Sequence, residues 1–301
     1  MKKIFFVILI SSYIFAENLI TPLIEIPEFN LEKARLGKII FLDKDLSKDR
    51  KVSCASCHDL ENGGNDGKRF SQGNDNQEGN VNSPTVFNSR FNFRQFWNGR
   101  AKSLEEQALF PILNPMEMGL TIREVLEIIN GKDFYVENFQ RIYGEKATIE
   151  NIVDSLVEFE KSLVTINSKF DRYLAGDKKA LNSDEVEGYE IFVNRGCINC
   201  HNGINIGGNS FNKFGIFLDS NSIDYGRFEL TNDREDKYFF KVPTLRNIEL
   251  TAPYFHDGRT NSLREAVYMM GNVQLGLELS DDELDKLVIF LKTLTGNYKS
   301  F

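Results

Sequence analysis

Cys54-Ala55-Ser56-Cys57-His58 and Cys197-Ile198-Asn199-Cys200-His201 are two copies of one pattern, and together they use every cysteine of the 301-residue chain. The spacing is the attachment signature of haem c: two sulfurs form thioethers to the vinyl groups, and the adjacent histidine ligates iron from one face. A zinc site would need four ligands converging in a closed cluster, whereas these motifs lie far apart and only one other histidine exists, His256. A redox dithiol has no need of the following histidine and normally sits in a strand-to-helix context that is absent here. Two covalent haem c groups are therefore expected, with Cys54, Cys57 and His58 holding one and Cys197, Cys200 and His201 the other.

Working outward from the motifs, helix starts recur with capping-box spacing, in which a Ser or Thr is followed three residues later by Glu. Ser103 with Glu106, Thr121 with Glu124, Ser262 with Glu265 and Ser280 with Glu283 are the clear cases. After Ser280, the residues Leu284, Leu287, Val288, Leu291 and Leu294 fall on one helical face, and Ile149 to Ile166 forms a second amphipathic segment. No alternation of period two runs comparably far, so the expected class is mainly helical with long irregular connections. The stretch from Asp59 to Ser83, rich in Gly, Asn and Asp, cannot build a core of its own; a loop of that length beginning at a haem histidine reads as functional, or else as a solvated linker. The boundary between two domains falls between Ser168 and Ser183, which leaves one haem motif on each side.

Acidic residues outnumber basic ones, 44 to 36, for a net charge of -8, which argues against nucleic acid as a partner because phosphate binding needs concentrated Lys and Arg. Residues 1–16 read as a signal peptide: Lys2 and Lys3, an apolar run from Ile4 to Phe15 broken only by Ser11 and Ser12, then Ala16. That run is shorter than the about 20 apolar residues a membrane span requires. Ile14 stands where a small residue is usual, so an uncleaved anchor is the alternative. Export places the mature chain, from residue 17, in the periplasm.

With the intervening sequence in view, the chain resembles the bacterial dihaem cytochrome c peroxidase family, which also includes the dihaem enzymes that mature methylamine dehydrogenase. The likeness runs through Leu36-Gly37-Lys38, Asn82-Ser83-Pro84-Thr85-Val86, Gln95-Phe96-Trp97-Asn98-Gly99-Arg100-Ala101 and Asn114-Pro115-Met116-Glu117-Met118-Gly119. It continues through Val242-Pro243-Thr244-Leu245-Arg246-Asn247 and Thr251-Ala252-Pro253-Tyr254-Phe255-His256-Asp257-Gly258 to Met270-Gly271 and Leu294-Thr295-Gly296. The resemblance implies an all-α fold of two cytochrome c-like haem domains with long irregular loops: an N-terminal peroxidatic domain, residues 17–170, and a C-terminal electron-transfer domain, residues 171–301.

The resemblance also implies roles. Met270 aligns with the methionine opposite His201 on the C-terminal haem, with Met269 as its competitor, and a methionine ligand raises the potential. Trp97, the only tryptophan, matches the residue placed between the haems, although a lone Trp read by itself is core packing. Glu117 matches the acid/base carboxylate for peroxide cleavage and Gln107 a glutamine near the same face; without the resemblance, Glu117 reads equally well as a solvated helix-end charge. One calcium ion is implied between the domains, with Asn82, Thr251 and Pro253 at its positions, and His256 lies near the C-terminal haem without ligating iron. Hydrogen peroxide is the implied substrate, a monohaem cytochrome c or a cupredoxin the electron donor, and a homodimer the common assembly.

Two rival readings are a pure electron-transfer dihaem cytochrome and a protein-modifying dihaem oxidase; the latter group has tyrosine where this chain has Met270. One departure stands out. Many members carry a histidine in the Gly-rich loop that caps the peroxidatic iron, and Asn74 occupies that place here, in Gly73-Asn74-Asp75-Asn76-Gln77-Glu78-Gly79.

Overall fold

The structure, a computed structural model, describes residues 19–298. The expected signal segment, residues 1–16, lies outside the described residues.

The N-terminal half contains α1 (Leu31–Leu42), the one-turn α2 (Cys54–Cys57), α3 (Leu104–Leu113), α4 (Ile122–Asn130), α5 (Asp133–Tyr143) and α6 (Ile149–Ser162). The C-terminal half contains α7 (Lys169–Leu174), α8 (Ser183–Asn194), the short α9 (Phe228–Thr231), α10 (Leu263–Met269) and α11 (Asp281–Lys292). The few strands are very short: β1 (Thr165–Ile166) pairs antiparallel with β4 (Asn297–Tyr298), and β2 (Phe211–Lys213) with β3 (Phe239–Lys241), where Phe211 faces Lys241. The mostly helical class is as expected.

Each half is organised by one helix crossing in which a glycine permits close approach. On α1, a Cβ at Gly37 would stand 1.9 Å from the Ser155 carbonyl oxygen of α6. On α8, a Cβ at Gly188 would stand 2.1 Å from the Lys286 carbonyl oxygen of α11. Any side chain at either position forces the helices apart, and overpacking of this kind costs about 1–3 kcal/mol. Around the first crossing lies a core of Leu36, Phe41, Ile152, Leu156 and Phe159; around the second, one of Phe170, Tyr189, Phe192, Leu287 and Phe290.

The capping signals hold to different degrees. Thr121 with Glu124 and Ser280 with Glu283 form reciprocal boxes, whereas Ser103 and Ser262 cap their helices one way only. The Glu265 carboxylate turns instead to the Thr260 hydroxyl. The amphipathic segment from Ile149 ends as a helix at Ser162, because Thr165 and Ile166 are taken into the pairing with β4. The stretch between Ser168 and Ser183, read as a junction, carries α7, whose Phe170 and Asp171 are fully buried. Asp171 receives a two-pronged bond from the Arg246 guanidinium at 2.9 and 3.0 Å, with both side chains sealed from water. The two ends of the described segment cross between the cores, Ile20 packing in the second and Tyr298 against the first.

Candidate haem sites

Both motifs fold as a short helical turn with the histidine just beyond it. Ser53 caps α2 reciprocally with Ser56, and the His58 amide closes the turn onto the Cys54 carbonyl at 3.0 Å. Cys197–Asn199 form a 3-10 turn that the His201 amide closes onto the Cys197 carbonyl, also at 3.0 Å. His58 Nδ1 lies 3.2 Å from the Gly64 carbonyl oxygen, and the Pro84 carbonyl faces the same ring. Gly64 must be glycine: its φ is +79°, and a Cβ there would stand 2.7 Å from the Phe87 ring. His201 faces the carbonyls of Ile206 and Pro243, and its buried Nδ1 makes no hydrogen bond among the described residues. Burial pushes the His201 imidazole down to about 4 and lowers His58 as well, so both rings are neutral, the form that ligates iron.

The two prolines belong to an internal repeat visible in the sequence but read only as two separate phrases: Pro84-Thr85-Val86-Phe87-Asn88 and Pro243-Thr244-Leu245-Arg246-Asn247. In each copy the threonine hydroxyl donates to a loop carbonyl, Gly63 at 2.6 Å or Asn205 at 2.7 Å. The two asparagine side chains then donate to the same Thr165 hydroxyl, Asn88 at 2.9 Å and Asn247 at 3.0 Å. The repeat thus places a carbonyl behind each histidine and joins the two halves at one buried residue.

All four cysteines are half-buried, and none of them pairs in a disulfide. Burial pushes Cys54 up to about 12 and Cys57 and Cys197 up to about 11, the reverse of what an activated redox dithiol needs. Thiols so placed are suited to a covalent bond with an apolar group. Cys197, Cys200 and His201 line a cavity with apolar walls that include Phe192, Leu287 and Leu291, and Met270 lies in its wall whereas Met269 does not. Met270 begins a π-helical turn, Met270–Gln274, that interrupts the helical path after α10; such turns are frequent at functional sites. Paired thiols, a neutral histidine and a thioether around one apolar cavity fit a haem c.

The same cavity reaches the N-terminal half at Asn82, Pro84 and Trp97, and includes Thr251, Pro253 and His256. Trp97 donates from Nε1 to the Asn82 carbonyl at 2.8 Å, and its own carbonyl accepts from the Lys241 amide at 2.7 Å. Asn82 is buried, with its Nδ2 donating to the Lys68 carbonyl at 2.9 Å. Among the described residues no three His, Cys, Asp or Glu side chains converge as a metal site, so a cation near Asn82 would be held by amide and carbonyl oxygens.

On the N-terminal side, Glu117 follows the Asn-Pro turn. Its Oε1 accepts from Asn114 Nδ2 at 2.7 Å, and the Asn114 carbonyl accepts from the Glu117 amide at 2.9 Å. Burial raises the Glu117 carboxyl above its ordinary range, opposed by the Asn114 bond and by the Arg100 charge. Its negative charge adds a little to the rise of Cys54 and Cys57, so the carboxylate lies within electrostatic reach of the N-terminal motif. The Arg100 guanidinium lies 3.4 Å above the centre of the Phe96 ring. Gln107, half-buried on α3, makes no side-chain hydrogen bond among the described residues. The Gly-rich loop closes onto the Glu117 turn: the Asn74 amide donates to the Glu117 carbonyl at 2.6 Å, and a Cβ at Gly73 would stand 2.0 Å from the Met116 oxygen. The sequence phrases that include Arg100 and Asn114 gave neither residue a role, and Lys241 lay outside them; the Asn-Pro dipeptide was the available signal for the turn.

A family model described as di-haem cytochrome c peroxidase matches residues 31–179, and one for cytochrome c matches residues 185–295. The cytochrome c551 peroxidase of Nitrosomonas europaea is 46% identical over 289 residues, covering 95% of this chain and 86% of that protein. The chain belongs to the di-haem cytochrome c peroxidase family. The cytochrome c551 peroxidase of Pseudomonas aeruginosa is 42% identical over 273 residues, covering 88% of this chain and 79% of that one. Among solved structures, a MauG-like protein associated with microbial copper homeostasis superimposes with a TM-score of 0.83 at 26% identity, covering 92% of this chain and 94% of that one. As a di-haem cytochrome c peroxidase, the chain is an oxidoreductase with haem c cofactors. No helix among the described residues is long and apolar enough to cross a membrane.

Proposed function

We propose that this protein is a periplasmic enzyme that reduces hydrogen peroxide to water, one two-electron reduction consuming two protons. The observation that carries the reading is a partly desolvated carboxyl, Glu117, oriented by Asn114 and within electrostatic reach of the first of two haem motifs. The haem at that motif would supply a redox-active iron at which the oxygen–oxygen bond is cleaved. Glu117 takes the proton from the near oxygen and returns it to the departing one, a transfer favoured by a carboxyl raised toward the working pH. Gln107 steadies the peroxide beside it. His58 would hold the peroxidatic haem, and His201 with Met270 the electron-storing one, where a thioether would favour the reduced state.

Trp97 fills the cavity wall between the halves and is the through-protein contact for electrons. Electrons arrive singly from a monohaem cytochrome c or a cupredoxin. Asn82, Thr251 and Pro253 are the residues that would hold one calcium ion at that junction, a hard cation suited to neutral oxygen donors. The domains meet near residue 170, and the enzyme works as a homodimer. The exposed apolar run Ile216, Phe217 and Leu218, with Ile223 nearby, supports an interaction surface on the C-terminal half.

The test is Glu117→Gln in the holoprotein. Peroxide turnover should fall by about 10²–10⁴-fold with both haem spectra nearly intact, because the variant deletes proton transfer and leaves iron ligation alone. Near-normal turnover would move the acid/base role elsewhere.

A further inference from the structure

Lys241 ends β3 and lines the cavity beside the C-terminal motif, yet it is only 6% exposed. Its ammonium makes no ion pair and no hydrogen bond among the described residues, and only its backbone is engaged, at the Trp97 carbonyl. The other deeply buried cation, Arg246, is fully paired with Asp171. His256, in the same cavity, already shares a hydrogen bond of 2.8 Å with the Ser222 hydroxyl through Nε2. Lys213 also lines the cavity but is solvent-exposed.

An ammonium that faces an apolar cavity with no anion beside it is costly to hold charged. Burial alone pulls this one down to about 8, so it still carries its proton near neutrality and lacks a counter-charge. The group that fits the cavity brings two carboxylates of its own, the propionates.

We propose that Lys241 is the counter-ion of a propionate of the C-terminal haem, a positioning residue that fixes that haem's edge relative to Trp97. The inference rests on the C-terminal motif carrying its haem. A lysine whose amide is bonded to the Trp97 carbonyl and whose ammonium grips the haem makes one short covalent segment span the two, so the approach of indole to haem is set by side-chain length. The positive charge also opposes the gain of charge on iron oxidation and raises the potential.

The experiment compares Lys241→Met and Lys241→Arg holoproteins by redox titration of each haem and by resonance Raman spectra of the propionate bending modes. With two attached haems verified, K241M should shift the C-terminal haem about tenfold toward the ferric form, about 59 mV for one electron. Its propionate modes should change, while K241R stays within about threefold of wild type. An unchanged potential and unchanged propionate modes in K241M overturn the inference. Should K241M fail to accumulate, redox infrared difference spectra of the wild-type holoprotein in water and in D2O replace it. A carboxylate band sensitive to exchange is expected there, and its absence is equally fatal. Peroxide turnover enters none of these readings: an active enzyme with an insensitive potential sinks this inference alone, and an inactive one with the shift intact sinks only the peroxidase reading.

Discussion

The indole Nε1 of Trp97 donates to the backbone carbonyl of Asn82 at 2.8 Å. The residue proposed to pass electrons and the residue proposed to hold calcium are thus one mechanical unit, anchored further by the Asn82 amide on the His256 carbonyl at 2.7 Å. Removing calcium should therefore disturb Trp97 before it disturbs either haem. Chelation of the holoenzyme is expected to shift the indole bands in ultraviolet resonance Raman and to slow electron transfer between the haems. Full activity and an unmoved indole after verified calcium removal would make the ion dispensable.

Met270→Leu should lower the potential of the C-terminal haem, since the thioether that favours ferrous iron is lost, whereas Met269→Leu should leave it unchanged. The cavity wall contains the first methionine and not the second. Redox titration of the two variants decides between them; the opposite pattern would exchange the residues.

Asn74 stands where the family resemblance puts a capping histidine, and its side chain is committed elsewhere: Oδ1 accepts from the Asp49 amide at 2.9 Å. An amide is a poor iron ligand beside imidazole, so the N-terminal haem of the fully ferric enzyme should be five-coordinate or water-bound. Paramagnetic resonance of the oxidised protein is expected to show one high-spin haem that reacts rapidly with peroxide. Two low-spin haems inert until one is reduced would show that another loop side chain caps the iron.

Glu160 is buried with Oε2 unpartnered, and burial, aided by the Glu105 charge, pushes its carboxyl up to about 8. The folded value lies above the unfolded one, near about 4.3. The native state therefore holds the proton more tightly, and its stability contribution is complete at acidic pH and lost as pH rises toward about 8. Each unit of difference is worth about 1.4 kcal/mol. Thermal melts across that window should show Glu160→Gln flattening a decline present in wild type; parallel profiles would mean that Glu160 finds a partner in the holoprotein.

The sequence by itself determined the haem motifs, the helical class and the caps at Thr121 and Ser280, because each depends on residues within a few positions of one another. The stripe of Leu284, Leu287 and Leu291 predicts burial by its period alone, and those three are buried. Family resemblance supplied Glu117, Trp97 and Met270 as candidates, but their surroundings were not legible. Only the tertiary structure decided that Thr165 would receive both Asn88 and Asn247, that Ser162 would end its helix, and that Phe170 would join the second core. It alone left Lys241 buried without a counter-charge. The reason is physical: burial and pairing of a single polar side chain depend on contacts from distant segments, such as Trp97 against Lys241, and no local period or spacing carries them.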